Sequence, residues 1–232
     1  MRKIQSVFTS FIDLFFPNLC VACNENLLRG ELHFCTKCIS DMPKTNFHLI
    51  SENEVEKRFW GKVRIENATS FFYFDKGSRF QHLLHELKYK GNKEIGDYLG
   101  RLAAADLLQT DRFSSVDVII PVPLHPKKEF KRGYNQSEWI GKGMSAIFNK
   151  PLSVGNLIRV SENTTQTQKS VFERFENTKG IFQIRNKAEF NHKHILLIDD
   201  VLTTGSTLEA CVHPLLECED VRISIFTLAV AK

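Results

Sequence analysis

The residues with the clearest chemistry lie between His194 and Thr207, which read HILLIDDVLTTGST. An apolar strand ends in Asp199 and Asp200. A turn with Thr203, Thr204, Gly205, Ser206 and Thr207 follows, and a helix begins there. In open α/β sheets, ligands bind at the C-terminal ends of strands. Gly205 lets the backbone approach an oxyanion closely. The first amides of the next helix are unpaired, and its dipole favours negative charge. The hydroxyls add donors, while the two carboxylates only accept and so suit sugar hydroxyls rather than phosphate. A phosphate cradle beside a carboxylate pair is what a 5-phosphoribosyl group requires. Asp199, Asp200, Val201, Leu202, Thr203, Thr204, Gly205, Ser206 and Thr207 are therefore candidate ligands of phosphoribosyl diphosphate with Mg2+. The plain alternative is an acidic turn before an N-capped helix, which Thr-Thr-Gly alone would suggest. The pattern G-x-x-x-x-G-K-[ST] is absent.

Basic residues form a second group. In Pro121–Gln136, Lys127, Lys128, Lys131 and Arg132 outweigh Glu129. Such cations neutralise a pyrophosphate or a nucleic-acid backbone, although most charge clusters are solvated loops. Lys88, Tyr89 and Lys90 could meet a single strand by phosphate pairing and stacking, or form a solvated face with one snorkelling tyrosine. Residues 164–174 are rich in hydroxyls and amides. They read either as a hood over the site or as a plain surface loop, and Arg174 joins the candidate pyrophosphate or DNA contacts.

Cysteines form the third group. Cys20-x2-Cys23 and Cys35-x2-Cys38 are two knuckles separated by eleven residues, the pattern of structural tetrahedral zinc. So short a segment cannot bury a sufficient core alone. Two disulfides are the alternative, a redox CxxC is weaker still, and His33 is a nearby substitute ligand. Cys211 and Cys218 read as core residues.

These groups need positioning elements. A strand signal covers Thr69–Phe74. Ser78 is an N-cap candidate for a helix with Phe80, Leu83, Leu84 and Leu87 on one face, and Gly91 ends it. Ile95, Leu99, Leu102 and Leu107 mark a second helix. Val116–Val122 and His194–Ile198 are apolar runs of the kind buried on both faces of a parallel sheet. Residues 124–133 read as a basic loop, Gln136–Phe148 and Ser206–Leu216 as helices, and Leu157–Val160, Ile181–Ile184 and Val221–Ala231 as strands. The alternation predicts an α/β fold with a mainly parallel sheet flanked by helices. The expected division is a helix and cysteine module over 1–43, a polar linker over 44–67, and the α/β domain over 68–232.

The 232 residues suit one well-buried domain plus a small module. A net charge of +4 permits an anionic partner without requiring one. No uncharged apolar run is long enough to span a membrane. Arg2 and Lys3 before Val7, Phe8, Phe11, Ile12, Leu14, Phe15 and Phe16 loosely imitate a signal peptide, but Asp13 interrupts the run and no small-residue cleavage site follows. A short amphipathic helix ending before Pro17 is the preferred reading, with membrane-surface contact as the alternative. Without a leader the compartment is reducing, where paired CxxC motifs favour metal.

The strand, acidic pair and TTG loop resemble the type I phosphoribosyltransferases. PVPLH…KRGYNQ from Pro121, TQTQ from Thr165, RFEN from Arg174, GIF from Gly180, and LKYKG from Leu87 together resemble the ComF family of competence-associated phosphoribosyltransferase-like proteins. The resemblance runs from the cysteine pairs to Lys232. It implies a type I phosphoribosyltransferase fold, an N-terminal zinc finger, and the handling of incoming single-stranded DNA in natural transformation. It also implies a cytoplasmic site at the inner face of the membrane, with a DNA-uptake helicase or membrane channel proteins as partners. Two other functions stay open. One is a phosphoribosyltransferase acting on a small acceptor, for which no nucleobase-recognition segment or catalytic residue can be named. The other is a zinc-ribbon interaction module with a degenerate loop, against which the intact Asp199, Asp200, Thr204 and Gly205 speak.

Overall fold

The computed structural model describes residues 17–75, 77, 79–160 and 180–231. The N-terminal helix, Ser78 as a cap, and the 164–177 motifs including Arg174 lie outside the described residues.

Four strands form a parallel sheet in the order β1 (Ala68–Phe74), β6 (Arg222–Ala231), β5 (His194–Leu202), β2 (Val118–Pro121). The apolar runs in β2 and β5 fit this arrangement because layers cover both faces of the sheet. Alternation along β5 sorts its side chains. Leu196 and Ile198 join one apolar cluster, and Ile195 and Leu197 join the other. The expected mainly parallel α/β architecture is thus the one observed. Leu157–Arg159 (β3) and Phe182–Ile184 (β4) pair antiparallel in a separate small sheet.

The first face carries α3 (Arg79–Tyr89), α4 (Glu94–Leu107) and α6 (Gln136–Phe148). Helices α4 and α6 meet at glycines. A Cβ on Gly143 would lie 2.0 Å from the Asp97 carbonyl oxygen, so only glycine permits this approach. The other face carries α7 (Ser206–Leu215), through Leu208, Cys211 and Val212.

The cysteine module, with its short helix α1 (Thr36–Ser40), packs onto the first face. Phe34 stacks on Tyr98 of α4 with ring centroids 5.8 Å apart. His82 of α3 places Nδ1 3.1 Å from the Val21 carbonyl oxygen.

Three expectations change. Residues 44–67, read as an irregular linker, contain a 3-10 turn at Phe47–Leu49 and helix α2 (Glu54–Lys57). Phe47, Val55 and Phe59 are buried in the second cluster. Some of the polar residues that suggested a linker, Asn53 and Glu56 among them, are buried internal partners. Asn53 caps α2 by accepting from the Val55 and Glu56 amides, and its Nδ2 donates to the carbonyls of Phe47, Ile50 and Ala68. Glu56 pairs with Arg112. Buried polar groups must be hydrogen-bonded, and composition alone does not separate them from solvated ones. Residues 124–133 are not a plain loop. Pro126–Arg132 form helix α5, capped by His125 and ended by Gly133 in the left-handed region. Finally, β5 does not stop at the acidic pair but continues to Leu202.

Candidate functional site

Strands β2 and β5 run parallel side by side, with Pro121 opposite Ile198. The segments that leave them, the approach to α5 and the Thr203–Gly205 turn, therefore emerge at one edge of the sheet. Asn135 links the two elements at this edge. It caps α6 through the Ser137 amide, and its Nδ2 donates to the Val122 carbonyl at 3.0 Å. That cap places Ser137 beside β5, where its hydroxyl donates to Asp199 Oδ1 at 3.0 Å.

The acidic pair is part-buried. Asp199 Oδ1 also accepts from the Asp200 amide at 2.8 Å. Asp200 Oδ2 lies 3.0 Å from Lys88 Nζ. Burial, and then repulsion from Asp200, push the Asp199 carboxyl up to about 7. Lys88, a candidate DNA contact by sequence, is therefore directed at the carboxylates from the last turn of α3.

The turn after β5 surrounds a small hollow of about 30 Å³. Gly205 has φ +87° and precedes α7. A Cβ there would meet the Phe59 ring at 3.4 Å. Thr204 Oγ1 and Ser206 Oγ lie 3.0 Å apart, and the Ser206 amide donates to Thr204 Oγ1 at 3.4 Å. Among the described residues, the Thr204, Gly205 and Thr207 amides have no intramolecular acceptor. Three N–H groups next to two carboxylates can receive an anion on one side and hydroxyls on the other.

The basic candidates fall into two sets. Lys127, Lys128 and Lys131 are exposed along α5. Arg132 lies with its guanidinium 5.3 Å from the Tyr89 ring centroid, and the Tyr134 hydroxyl donates to the Leu87 carbonyl. The end of α5 is thereby joined to the end of α3, which brings Lys88, Tyr89 and Arg132 together.

Two residues were missed by the sequence reading. Phe130 sits among the α5 lysines and is 93% exposed. Its signal was an aromatic inside a basic run, which the charges masked. Arg58 donates through Nη1 to the Thr203 carbonyl and through Nη2 to the Ala231 carbonyl at 3.0 Å. No local signal marked it, because it lies far from the loop in sequence.

At the other end of the chain, one Sγ from each of Cys20, Cys23, Cys35 and Cys38 lies within 4.8 Å of all the others. The Cys23 and Cys35 sulfurs are 3.8 Å apart. Tetrahedral zinc with Zn–S near 2.3 Å implies S···S edges of about 3.8 Å, so the donor set fits. Burial alone would raise the Cys20 thiol. The amides of Cys35, Cys23 and Ala22 outweigh it and bring the thiol down to about 7, which favours the thiolate a metal needs. Cys38 is pushed up by burial and by its neighbouring sulfurs. Cys211 is buried in the second cluster, as a core residue would be.

Residues 135–232, which include α6, the acidic pair and the loop, match the family described as Phosphoribosyl transferase domain. The chain is 29% identical over 208 residues to Competence protein F of Haemophilus influenzae, covering 84% of this chain and 89% of that protein. The chain is thus similar to proteins named for competence. Competence protein ComFC of Bacillus subtilis is 27% identical over 90% of this chain and 83% of its own length. The DNA utilization protein YhgH of Escherichia coli (strain K12) is 25% identical over 91% of this chain and 96% of its own. Adenine phosphoribosyl transferase from Trypanosoma brucei overlaps at 12% identity and a TM-score of 0.39, covering 78% of this chain and 81% of that one. Among the described residues, no helix is long and apolar enough to cross a membrane.

Proposed function

We propose that this protein binds phosphoribosyl diphosphate at the edge of the sheet beyond β2 and β5, and that it handles single-stranded DNA on the adjoining basic surface during DNA uptake. The observation that carries the reading is the adjacency of the part-buried Asp199–Asp200 pair to the free amides of the Thr203–Thr207 turn. The amides and hydroxyls receive the 5-phosphate, and the carboxylates receive the ribose hydroxyls. Mg2+ bound with the diphosphate would screen its charge, and Lys88, which meets Asp200, with Arg132, which meets the neighbouring Tyr89, would add to that screening. Hard carboxylate oxygens suit such a cation, and the raised Asp199 carboxyl is a group that added positive charge would relieve. The four cysteines would hold a structural zinc ion.

The DNA part of the reading draws on two supports. Relatives carry the names Competence protein and DNA utilization protein. In addition, α5 combines exposed lysines with exposed Phe130 beside the Arg132–Tyr89 contact, a composition suited to phosphate neutralisation and base stacking. The expected place of action is the cytoplasmic face of the membrane, near an uptake helicase or channel.

The test is thermal. Phosphoribosyl diphosphate with Mg2+ should raise the melting temperature, and replacing both Asp199 and Asp200 with alanine should abolish the rise. A rise that survives the double substitution would remove the site assignment. Single-strand affinity should fall steeply with salt, and replacing Lys127, Lys128 and Lys131 with glutamine should flatten that dependence by about the number of phosphates lost. Pyrophosphate release in the presence of single-stranded DNA decides whether binding proceeds to transfer.

A further inference from the structure

The Thr203–Gly205 turn begins where β5 ends, so no ladder partner holds its first peptide. In a trans peptide the carbonyl and the following N–H point in opposite directions. Whatever grips the Thr203 carbonyl therefore also decides where the Thr204 amide points. That group is Arg58. Its guanidinium spans two carbonyls, Thr203 in the turn and Ala231 at the end of β6, the latter set in the sheet opposite Phe74 of β1. One fork thus ties a loop peptide to the sheet.

The base of this clamp is rigid. Arg58 follows α2 directly, and α2 is fixed by the Asn53 hydrogen bonds and the Glu56–Arg112 pair. The next residue, Phe59, lies fully buried against Gly205. Two successive side chains therefore contact the two ends of the turn. Among the described residues Arg58 has no carboxylate partner, so its charge is not cancelled locally. A cation on the carbonyl also polarises the peptide and strengthens its N–H as a donor.

We propose that Arg58 is a positioning residue that presets the phosphate turn, holding the Thr203–Thr204 peptide so that the Thr204 N–H faces the anion. The proposal rests on the phosphoribosyl reading above and adds to it a residue outside the loop. Lysine cannot replace it, because an ammonium group does not present two donors in a fixed planar fork.

The test compares two probes, ribose 5-phosphate and inorganic pyrophosphate, each titrated with Mg2+ into the full chain. The variant Arg58→Ala should lose about tenfold in affinity for ribose 5-phosphate and keep its affinity for pyrophosphate, which the proposed reading assigns to Lys88 and the cations of α5 rather than to the turn. Added methylguanidinium should restore the lost affinity, an effect that a merely structural role would not produce. If Arg58→Ala does not fold, Arg58→Lys carries the test, with a smaller loss confined to ribose 5-phosphate. Equal losses for both probes, or no loss for ribose 5-phosphate, would overturn the role of Arg58. Failure of the unmodified protein to bind ribose 5-phosphate would instead overturn the phosphoribosyl reading beneath it.

Discussion

In the cysteine module, backbone amides point inward at the module's own sulfurs. The Cys35 amide donates to Cys20 Sγ at 3.3 Å and the Cys38 amide to Cys35 Sγ at 3.4 Å. In the turn after β5, the amides of Thr204, Gly205 and Thr207 have no such acceptor among the described residues. Both regions are short and rich in polar donors. They differ in where those donors are satisfied. The module satisfies these amides with its own sulfurs and packs Phe34 and Met42 into the main core, so it behaves as architecture. The turn leaves its donors without an acceptor among the described residues, which is what the proposed receptor role requires. A motif's residue types suggest its chemistry, and the state of its donors distinguishes a structural site from a binding one.

This contrast can be broken experimentally. The largest effect is expected from Cys38→Ser. If a metal holds the module, losing one thiolate should release it and cost at least about 4 kcal/mol of stability, measured by chemical unfolding alongside metal content. Unchanged stability with unchanged metal content would remove the structural role. A smaller effect is expected from Gly205→Ala. An L-residue in the left-handed region costs about 1–2 kcal/mol, and the added methyl meets Phe59. Affinity for phosphoribosyl diphosphate should fall with the stability, whereas Cys38→Ser should alter binding only as far as it unfolds the protein. If Gly205→Ala binds as well as the parent, the turn is not the receptor.

The smallest effect concerns His194, which lies at the start of β5 outside both regions. Burial lowers its pKa below 6.5, and its two nitrogens meet Ser115 Oγ and Ser224 Oγ, each at 2.8 Å. The unfolded chain takes up the proton first as the pH drops. The stability from this group is therefore complete above about pH 6.5 and declines as the pH falls toward the depressed folded value. Urea unfolding between pH 5 and 8 should show this decline, and His194→Gln should make it shallower. Identical slopes would mean that other groups govern the acid limb.

Much of the site was legible because its signals are local. The Asp-Asp and Thr-Thr-Gly-Ser-Thr run, the Gln136–Phe148 helix and the paired CxxC knuckles depend on neighbours a few residues away, and a chain displays those directly. Residues 44–67 were not legible, because Asn53, Glu56 and Arg58 find their partners at Ala68, Arg112 and Thr203. Their polarity looked like solvent exposure until those partners were placed. Lys88 was read as a surface cation for the same reason, since its carboxylate partner is 112 positions later in the sequence.

By itself the sequence determined the kinds of chemistry available to this protein: an acidic pair ahead of a phosphate-type turn, four thiols in two knuckles, and apolar runs that require a parallel sheet. Local spacing and hydrophobic periodicity are enough for that. Only the tertiary structure decided which of these groups act together. Packing set α3 beside β5 so that Lys88 meets Asp200, joined α5 to α3 through Arg132 and Tyr89, and brought Arg58 under the phosphate turn. Such pairings depend on how distant segments fold against one sheet, and spacing along the chain carries no record of that distance.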